Sequence, residues 1–139
     1  MTPPDSAPVD GRAVRAAEAV TVVLVLGGFV FRAPLLVPLV AIVDGLGGVV
    51  GLHAHPVHAL YRATVARHLD PARVLEAPSA VRALHQLTAG LCAVASLALA
   101  IGVGIVGWPL ALAAAAAAAV DATTGFNAAI ALRDRFNRR

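Results

Sequence analysis

The sequence contains no lysine and a single cysteine, and only 14% of its 139 residues are charged. With Cys92 alone, an intrachain disulfide is excluded. Soluble domains carry about 25% charged residues, so this shortage of charge, together with a hydrophobic content of 59%, indicates a membrane protein. No zinc-finger spacing and no basic helix interleaved with aromatics occurs, which argues against a nucleic-acid partner.

Catalytic signatures are also missing from the chain. It has no Gly-x-Ser-x-Gly, no Walker phosphate loop and no His-Glu-x-x-His. Cys92 lies in an apolar stretch, where a thiol packs as a small hydrophobic group rather than acting as a nucleophile. We therefore predict a protein that is not an enzyme, with no catalytic and no cofactor-binding residues.

Four long apolar stretches predict an all-α fold of four transmembrane helices in two hairpins, over about residues 11–31, 34–50, 79–106 and 109–133. Asp10 is a suitable N-cap for the first helix. Turns at Arg32–Pro34 and at Gly107–Pro109 are predicted to close the two hairpins. Residues 1–9 are rich in proline and predict a disordered tail, which leaves 10–139 as a single four-helix membrane domain.

Arginine is distributed unevenly around these stretches. Ten of the eleven arginines lie before the first stretch, between the second and third, or after the fourth. Arg32, in the turn between the first two, is the exception. Because cytoplasmic loops carry an excess of Arg and Lys, the distribution predicts a multi-pass protein of the cell inner or plasma membrane with both termini in the cytoplasm. It also accounts for the pI near 10.4.

The loop between the second and third stretches, residues 52–78, contains an amphipathic segment. Over 57–69 its apolar positions are Leu60, Val65 and Leu69, and its polar positions are Arg62, Arg67 and His68. Pro56 suits the first turn of a helix. The pattern predicts a short helix lying on the cytoplasmic membrane surface; a solvated connector is the alternative.

Polar residues recur within the predicted membrane helices, where charges are costly and usually face the interior of a bundle. At about 100° per residue, each helix carries a narrow polar or small-residue stripe. The predicted intramembrane polar cluster consists of Glu18, Asp44, His85, Thr88, Asp121, Thr124 and Asn127. Two interpretations stay open: structural hydrogen bonds between helices, or a proton, ion or small-molecule site. Asp44 is the most informative member, because its predicted depth is near mid-membrane and its helix has no cation.

Three histidines fall within six residues of the loop. His53, His55 and His58 are candidate ligands of a transition metal, with His85 or His68 as further ligands. The spacing matches no standard zinc pattern, and His55-Pro56 is equally typical of a helix start. The sequence therefore predicts neither a metal site nor a cofactor.

Six short motifs occur in a fixed order over about residues 9–133. They are Val9-Asp10-x-Arg12-x-x-Arg15, His55-Pro56-x-x-x-Leu60-Tyr61-Arg62, Leu69-Asp70-Pro71, Glu76-x-Pro78, Arg82-x-x-x-Gln86 and Thr124-Gly125-Phe126. In this layout the chain resembles an uncharacterised bacterial membrane family, domain of unknown function 4395. Members commonly carry Gly-Phe-Cys-x-x-Cys at the last motif, which would imply thiol chemistry. Here Asn127 and Ile130 replace both cysteines.

These observations predict a small integral membrane protein that serves as a non-enzymatic accessory or structural subunit. It would contact the lipid bilayer and pack with itself or with a larger membrane protein. The alternative is a small ion, proton or ligand transporter that uses the intramembrane carboxylates. A membrane thiol or sulfur redox partner comes third, because the chain has one cysteine.

Overall fold

The computed structural model describes residues 8–70 and 74–125. It contains five α-helices: α1 (Gly11–Val30), α2 (Leu36–Gly45), α3 (Pro56–Thr64), α4 (Pro78–Ala100) and α5 (Gly104–Thr124). A π-helical segment, Leu46–Val50, continues α2, and short 3-10 turns lie at Leu52–Ala54 and Ala66–His68. Two-residue strands, β1 (Val9–Asp10) and β2 (Leu75–Glu76), pair antiparallel with Val9 opposite Glu76. The described fold is all-α apart from this pair.

Three of the helices, α1, α4 and α5, are long and apolar enough to cross a membrane, and Leu36–Val50 forms a shorter apolar helix. Large apolar side chains cover their outer surfaces. Val23, Leu97 and Ile105, for example, are 67%, 69% and 87% exposed. A soluble monomer rarely exposes a continuous apolar surface of this kind, whereas lipid chains accept it. The helices therefore indicate a multi-pass membrane protein.

The two hairpins, α1–α2 and α4–α5, pack against each other, with α2 on α4 and α1 on α5. The core between them is built from small and medium side chains: Val25, Val37, Val40, Cys92, Ala95, Ala111, Ala114 and Ala115. Gly107 lets α5 approach α4, since a Cβ there would lie 2.6 Å from Cγ of Leu99. Such close approach through small residues is the usual way that membrane helices associate.

The predicted turn at Gly107–Pro109 is wrong. Those residues lie inside α5, and the turn falls instead between Ala100 and Gly104. Gly102 has a φ of +81°, a left-handed conformation that glycine adopts without steric cost. The hairpin therefore turns at Gly102, while Gly107 is placed in the α4–α5 contact.

The other predicted boundaries differ less. Asp10 is confirmed as the N-cap of α1, because its carboxylate accepts from the backbone N–H of Arg12 at 2.9 Å. Helix α2 begins later than predicted, because the turn that follows Arg32 extends to Leu35. The predicted loop helix is shorter, and α3 ends at Thr64. Val9, predicted to belong to the disordered tail, pairs in β1. Residues 1–7 of that tail, and the part of the last predicted helix that follows residue 125, lie outside the described residues.

Candidate functional site

The side chains of Asp44, His55 and His85 meet inside the bundle, from the end of α2, the start of α3 and the first half of α4. Oδ1 of Asp44 lies 3.2 Å from Nε2 of His55 and 3.2 Å from Nδ1 of His85. One nitrogen or oxygen of each residue lies within 4.8 Å of the others. The three residues are 1%, 0% and 2% exposed. We refer to these three residues as the Asp44 site.

Glycines after Asp44 let the chain return towards it. A Cβ on Gly47 would lie 2.6 Å from Cδ2 of His55, so the imidazole occupies space that any other residue would fill. Gly51, with a φ of 135°, turns the backbone out of the π-helical segment and into the 3-10 turn before His55. His55 is then the N-cap of α3, although its side chain bonds to Asp44 rather than to the helix backbone. The sequence from 44 to 55 thus forms one local loop of the site.

The same region fixes α2 against α4. A Cβ on Gly48 would lie 2.9 Å from the backbone nitrogen of Gln86. The Gln86 side-chain amide donates to the carbonyl of Gly48 at 2.7 Å. This bond satisfies a carbonyl near the end of the helical segment, where intrahelical partners run out. The contact holds His85, the neighbour of Gln86, opposite Asp44.

Hydrogen bonds around Asp44 define the imidazole tautomers. The Thr21 hydroxyl of α1 donates to Oδ2 of Asp44 at 3.2 Å. Because an ionised carboxylate only accepts, Nε2–H of His55 and Nδ1–H of His85 both donate to Oδ1. A neutral His85 then carries a bare Nε2, and Nε2 of His58 lies 3.4 Å from it. His58 therefore donates to His85, and His85 donates to Asp44.

His58 stays uncharged in this arrangement. Burial lowers the pKa of His58 to about 3, and the neighbouring His55 and His85 act in the same direction. The ring centroids lie 4.8 Å apart for His55 and His58, and 4.5 Å apart for His55 and His85. Nδ1 of His55 is buried without a hydrogen-bond partner in the described part of the chain. Three imidazoles thus pack around one carboxylate.

The structure places the seven residues of the predicted intramembrane cluster in different surroundings. Asp44 and His85 belong to the Asp44 site. Thr88 is buried beside Asp44, and its hydroxyl donates to the backbone carbonyl of Leu84 at 3.1 Å. Thr124 is exposed and donates to the carbonyl of Val120 at 2.6 Å. Asn127 lies outside the described residues.

The two remaining members, Glu18 and Asp121, lie together at a second place. They are on α1 and α5, which pack against each other, and they are 2% and 4% exposed. Glu18 interacts electrostatically with Asp121 most strongly, and with Glu76 and Asp44 more weakly. We refer to Glu18 and Asp121 as the carboxyl pair.

The candidate histidines also separate. His55 is in the Asp44 site and His58 packs on it, whereas His53 is exposed. His68 is exposed, and its Nδ1 lies 2.9 Å from the carbonyl of Thr64. Sequence reasoning did not join the loop histidines to Asp44. The signal available was the four glycines between Asp44 and His55, which are typical of a chain that must turn sharply.

A family model described as "Domain of unknown function (DUF4395)" matches residues 9–136. The chain belongs to this family. The match confirms the resemblance read from the sequence motifs, and two motif residues, His55 and Gln86, help to build the Asp44 site. A search of curated proteins and a search of solved structures each found no match.

Proposed function

We propose that this DUF4395 protein is a four-span, non-enzymatic membrane protein that binds a divalent transition-metal ion, such as Zn²⁺, at Asp44, His55 and His85. The observation that carries this proposal is the convergence of two imidazole nitrogens and one carboxylate oxygen within 4.8 Å of one another, in a fully buried place. Imidazole and carboxylate are ordinary ligands of zinc and its first-row neighbours.

The spacing of the ligand atoms supports metal binding. Zinc lies about 2.0–2.2 Å from histidine nitrogens and carboxylate oxygens, which places neighbouring ligands of a tetrahedral ion about 3.3–3.6 Å apart. The two distances from Oδ1 of Asp44 to the imidazole nitrogens are both 3.2 Å. The ligand nitrogens of His55 and His85 lie within 4.8 Å of each other, so an ion that replaced the hydrogen bonds would draw the two imidazoles together.

The groups around the three ligands support the same role. A metal on Nδ1 of His85 leaves the proton on Nε2, which faces Nε2 of His58. His58 stays neutral and, once its own proton moves from Nε2 to Nδ1, can accept that hydrogen bond on Nε2, as the outer partner of a metal-binding histidine commonly does. The Thr21 hydroxyl lies closer to Oδ2 of Asp44, at 3.2 Å, than to Oδ1, at 3.5 Å, so its stronger bond is to the oxygen that faces away from the two imidazole nitrogens.

The proposed topology has both termini in the cytoplasm. Arg12 donates to the backbone carbonyl of Asp70 at 2.8 Å, and β1 pairs with β2. The start of α1 therefore meets the arginine-rich loop at one end of the bundle. Arg32 shares a cavity with Leu99 and Trp108 at the other end. The excess of arginine assigns the first end to the cytoplasm.

The loop helix α3 is proposed to lie at that cytoplasmic surface. His58 and Tyr61 face inward, and α3 packs on α1. Leu60 of α3 is 63% exposed, and Leu69, just after the 3-10 turn that follows α3, is 43% exposed. Both can enter the interfacial lipid while Arg62 meets the headgroups.

Metal binding is tested on the full-length protein in detergent, stripped with EDTA and then titrated with Zn²⁺ against a chromophoric chelator. We expect one ion per chain, and a loss of affinity of at least tenfold in Asp44→Asn and His85→Gln. His68→Gln is the matched control, because that histidine is exposed and its Nδ1 contacts the carbonyl of Thr64 rather than Asp44. Absence of zinc binding by the wild type, or equal losses in the control, would overturn the proposal.

Orientation is tested by fusing a reporter that is active only in the cytoplasm. A fusion at residue 139 should be active, and one in the observed outer turn at Gly102 should be inactive. The opposite pattern would reverse the assignment of the two faces.

A further inference from the structure

Within residues 8–70 and 74–125, no protein group donates to the Glu18 member of the carboxyl pair. Both oxygens of Glu18 are buried and have no hydrogen-bond partner in the described part of the chain. Arg15, one turn earlier on α1, is exposed and interacts with Glu76. The Thr21 hydroxyl, one turn later, is bonded to Asp44. The cation and the hydroxyl nearest to Glu18 on α1 are therefore directed elsewhere.

The side chain with which Glu18 interacts most strongly is itself an acid, Asp121. Asp121 is buried on α5, which packs against α1. Two ionised carboxylates have only acceptor atoms and repel each other, so they cannot hydrogen-bond to each other. Like-charged carboxyls that share a buried place retain a proton between them.

We propose that Glu18 and Asp121 are a proton-binding site, in which one proton is shared by the two carboxyls at neutral pH. The contact joins α1 to α5 by a bond that exists only while the proton is present. The proposal does not depend on metal binding at the Asp44 site, and it concerns different side chains.

The surroundings give the proton a route from one face. The charged groups that face the pair are Glu76 of β2, Asp44 of α2 and, through Glu76, Arg15. Glu76 is half-buried at the end of the bundle where β1 and β2 pair, and burial raises the pKa of its carboxyl. Glu76 interacts with both carboxyls of the pair, so it is the group through which a proton would reach the pair from the arginine-rich end.

Infrared spectroscopy of the EDTA-treated protein in lipid nanodiscs tests the shared proton. We expect the C=O stretch of a protonated carboxyl at pH 7, with a shift in D₂O. Glu18→Gln and Asp121→Asn should each abolish the band, because an amide then donates to the remaining carboxylate. Asp70→Asn, at an exposed loop position, is the matched control and should leave the band unchanged.

Isotope labelling provides a second measurement that needs no substitution and so is independent of variant folding. Carboxyl ¹³C-labelling of all glutamates, or of all aspartates, should each shift the band if both residues share the proton. A band that responds to only one label, or that disappears only in Glu18→Gln, would show a lone protonated carboxyl and overturn the pair. Absence of the band at pH 7 would overturn the proton site itself. Each of these outcomes is separate from the zinc titration, which uses another readout.

Discussion

Gly47→Ala should impair the Asp44 site by moving one ligand. The new methyl group would lie 2.6 Å from Cδ2, 3.1 Å from Cβ and 3.2 Å from Cγ of His55. Because Cβ is fixed to the backbone, rotation of the ring alone cannot relieve all three contacts. Overpacking of this kind costs about 1–3 kcal/mol, and the better helix propensity of alanine returns about 1 kcal/mol. We expect a net loss of about 0–2 kcal/mol in the free energy of unfolding.

The effect on zinc affinity should be larger than the effect on stability. A contact of 2.6 Å has to open to about 3.4 Å before it becomes an ordinary van der Waals contact, so part of the imidazole shifts by several tenths of an ångström. Misplacing a metal ligand or its support commonly lowers affinity by about 10–100-fold. Chelator competition measures the affinity, and unfolding in a denaturing detergent measures the stability.

Gly90→Ala is the matched control for this experiment. Gly90 lies within α4, and a Cβ there would meet no atom within 4 Å. We expect equal or slightly higher stability and unchanged zinc affinity. Wild-type zinc affinity in Gly47→Ala would refute the argument that this glycine makes room for a metal ligand.

Three further predictions concern the fold. Asp44→Leu leaves the donors of His55, His85 and Thr21 without an acceptor and should lower the free energy of unfolding by about 1–3 kcal/mol. Asp44→Asn keeps an oxygen for the imidazoles and should unfold near the wild-type temperature. Equal thermal midpoints for the two variants would contradict this expectation. Burial raises the pKa of Glu76, so between the unfolded-state pKa and the raised pKa the native protein binds more protons than the unfolded protein, and stability falls as the pH rises. Glu76→Gln should therefore melt at a higher temperature than wild type at pH 8 and at the same temperature at pH 4. Identical melting of the variant and the wild type at both pH values would count against this argument. Gly107→Ala places a methyl group 2.6 Å from Cγ of Leu99 and 3.0 Å from the carbonyl of Ala95. It should therefore destabilise the α4–α5 hairpin by about 1–3 kcal/mol. A thermal midpoint at or above that of wild type would show that the hairpin relaxes without cost.

Helices and their inner faces followed from the sequence because both depend on local patterns. A long apolar run specifies a membrane helix, and a helical period placed Asp44 and His85 towards the interior. The predicted position of the turn in the second hairpin was wrong for a reason of packing. Gly107-Trp108-Pro109 has the composition of a turn, but its glycine is needed where α5 touches Leu99. Gly102 has less conspicuous neighbours, yet it is the residue with the left-handed conformation.

The composition of the Asp44 site could not be predicted in the same way. His55 and His58 lie in a loop, so no helical period relates them to Asp44. Their placement depends on the chain reversal through Gly47 and Gly51 and on the start of α3 at Pro56. Because α3 begins at Pro56, the side chains of His55 and His58 are buried inside the bundle, whereas His53 is exposed. Only the packed structure distinguishes these histidines.

The Asp44 site costs the fold more than a structural contact requires. A buried network of ionisable groups can often be replaced by apolar residues of similar volume with no loss of stability, or with a gain. Gly47, which gives His55 its space, costs about 1 kcal/mol of helix propensity relative to alanine. Both costs fall on the same few residues, and α1, α2 and α4 already pack around an apolar core that includes Val25, Val40 and Cys92. Because an apolar core already joins these helices, the cost of the Asp44 site favours the proposed binding role over a purely structural one.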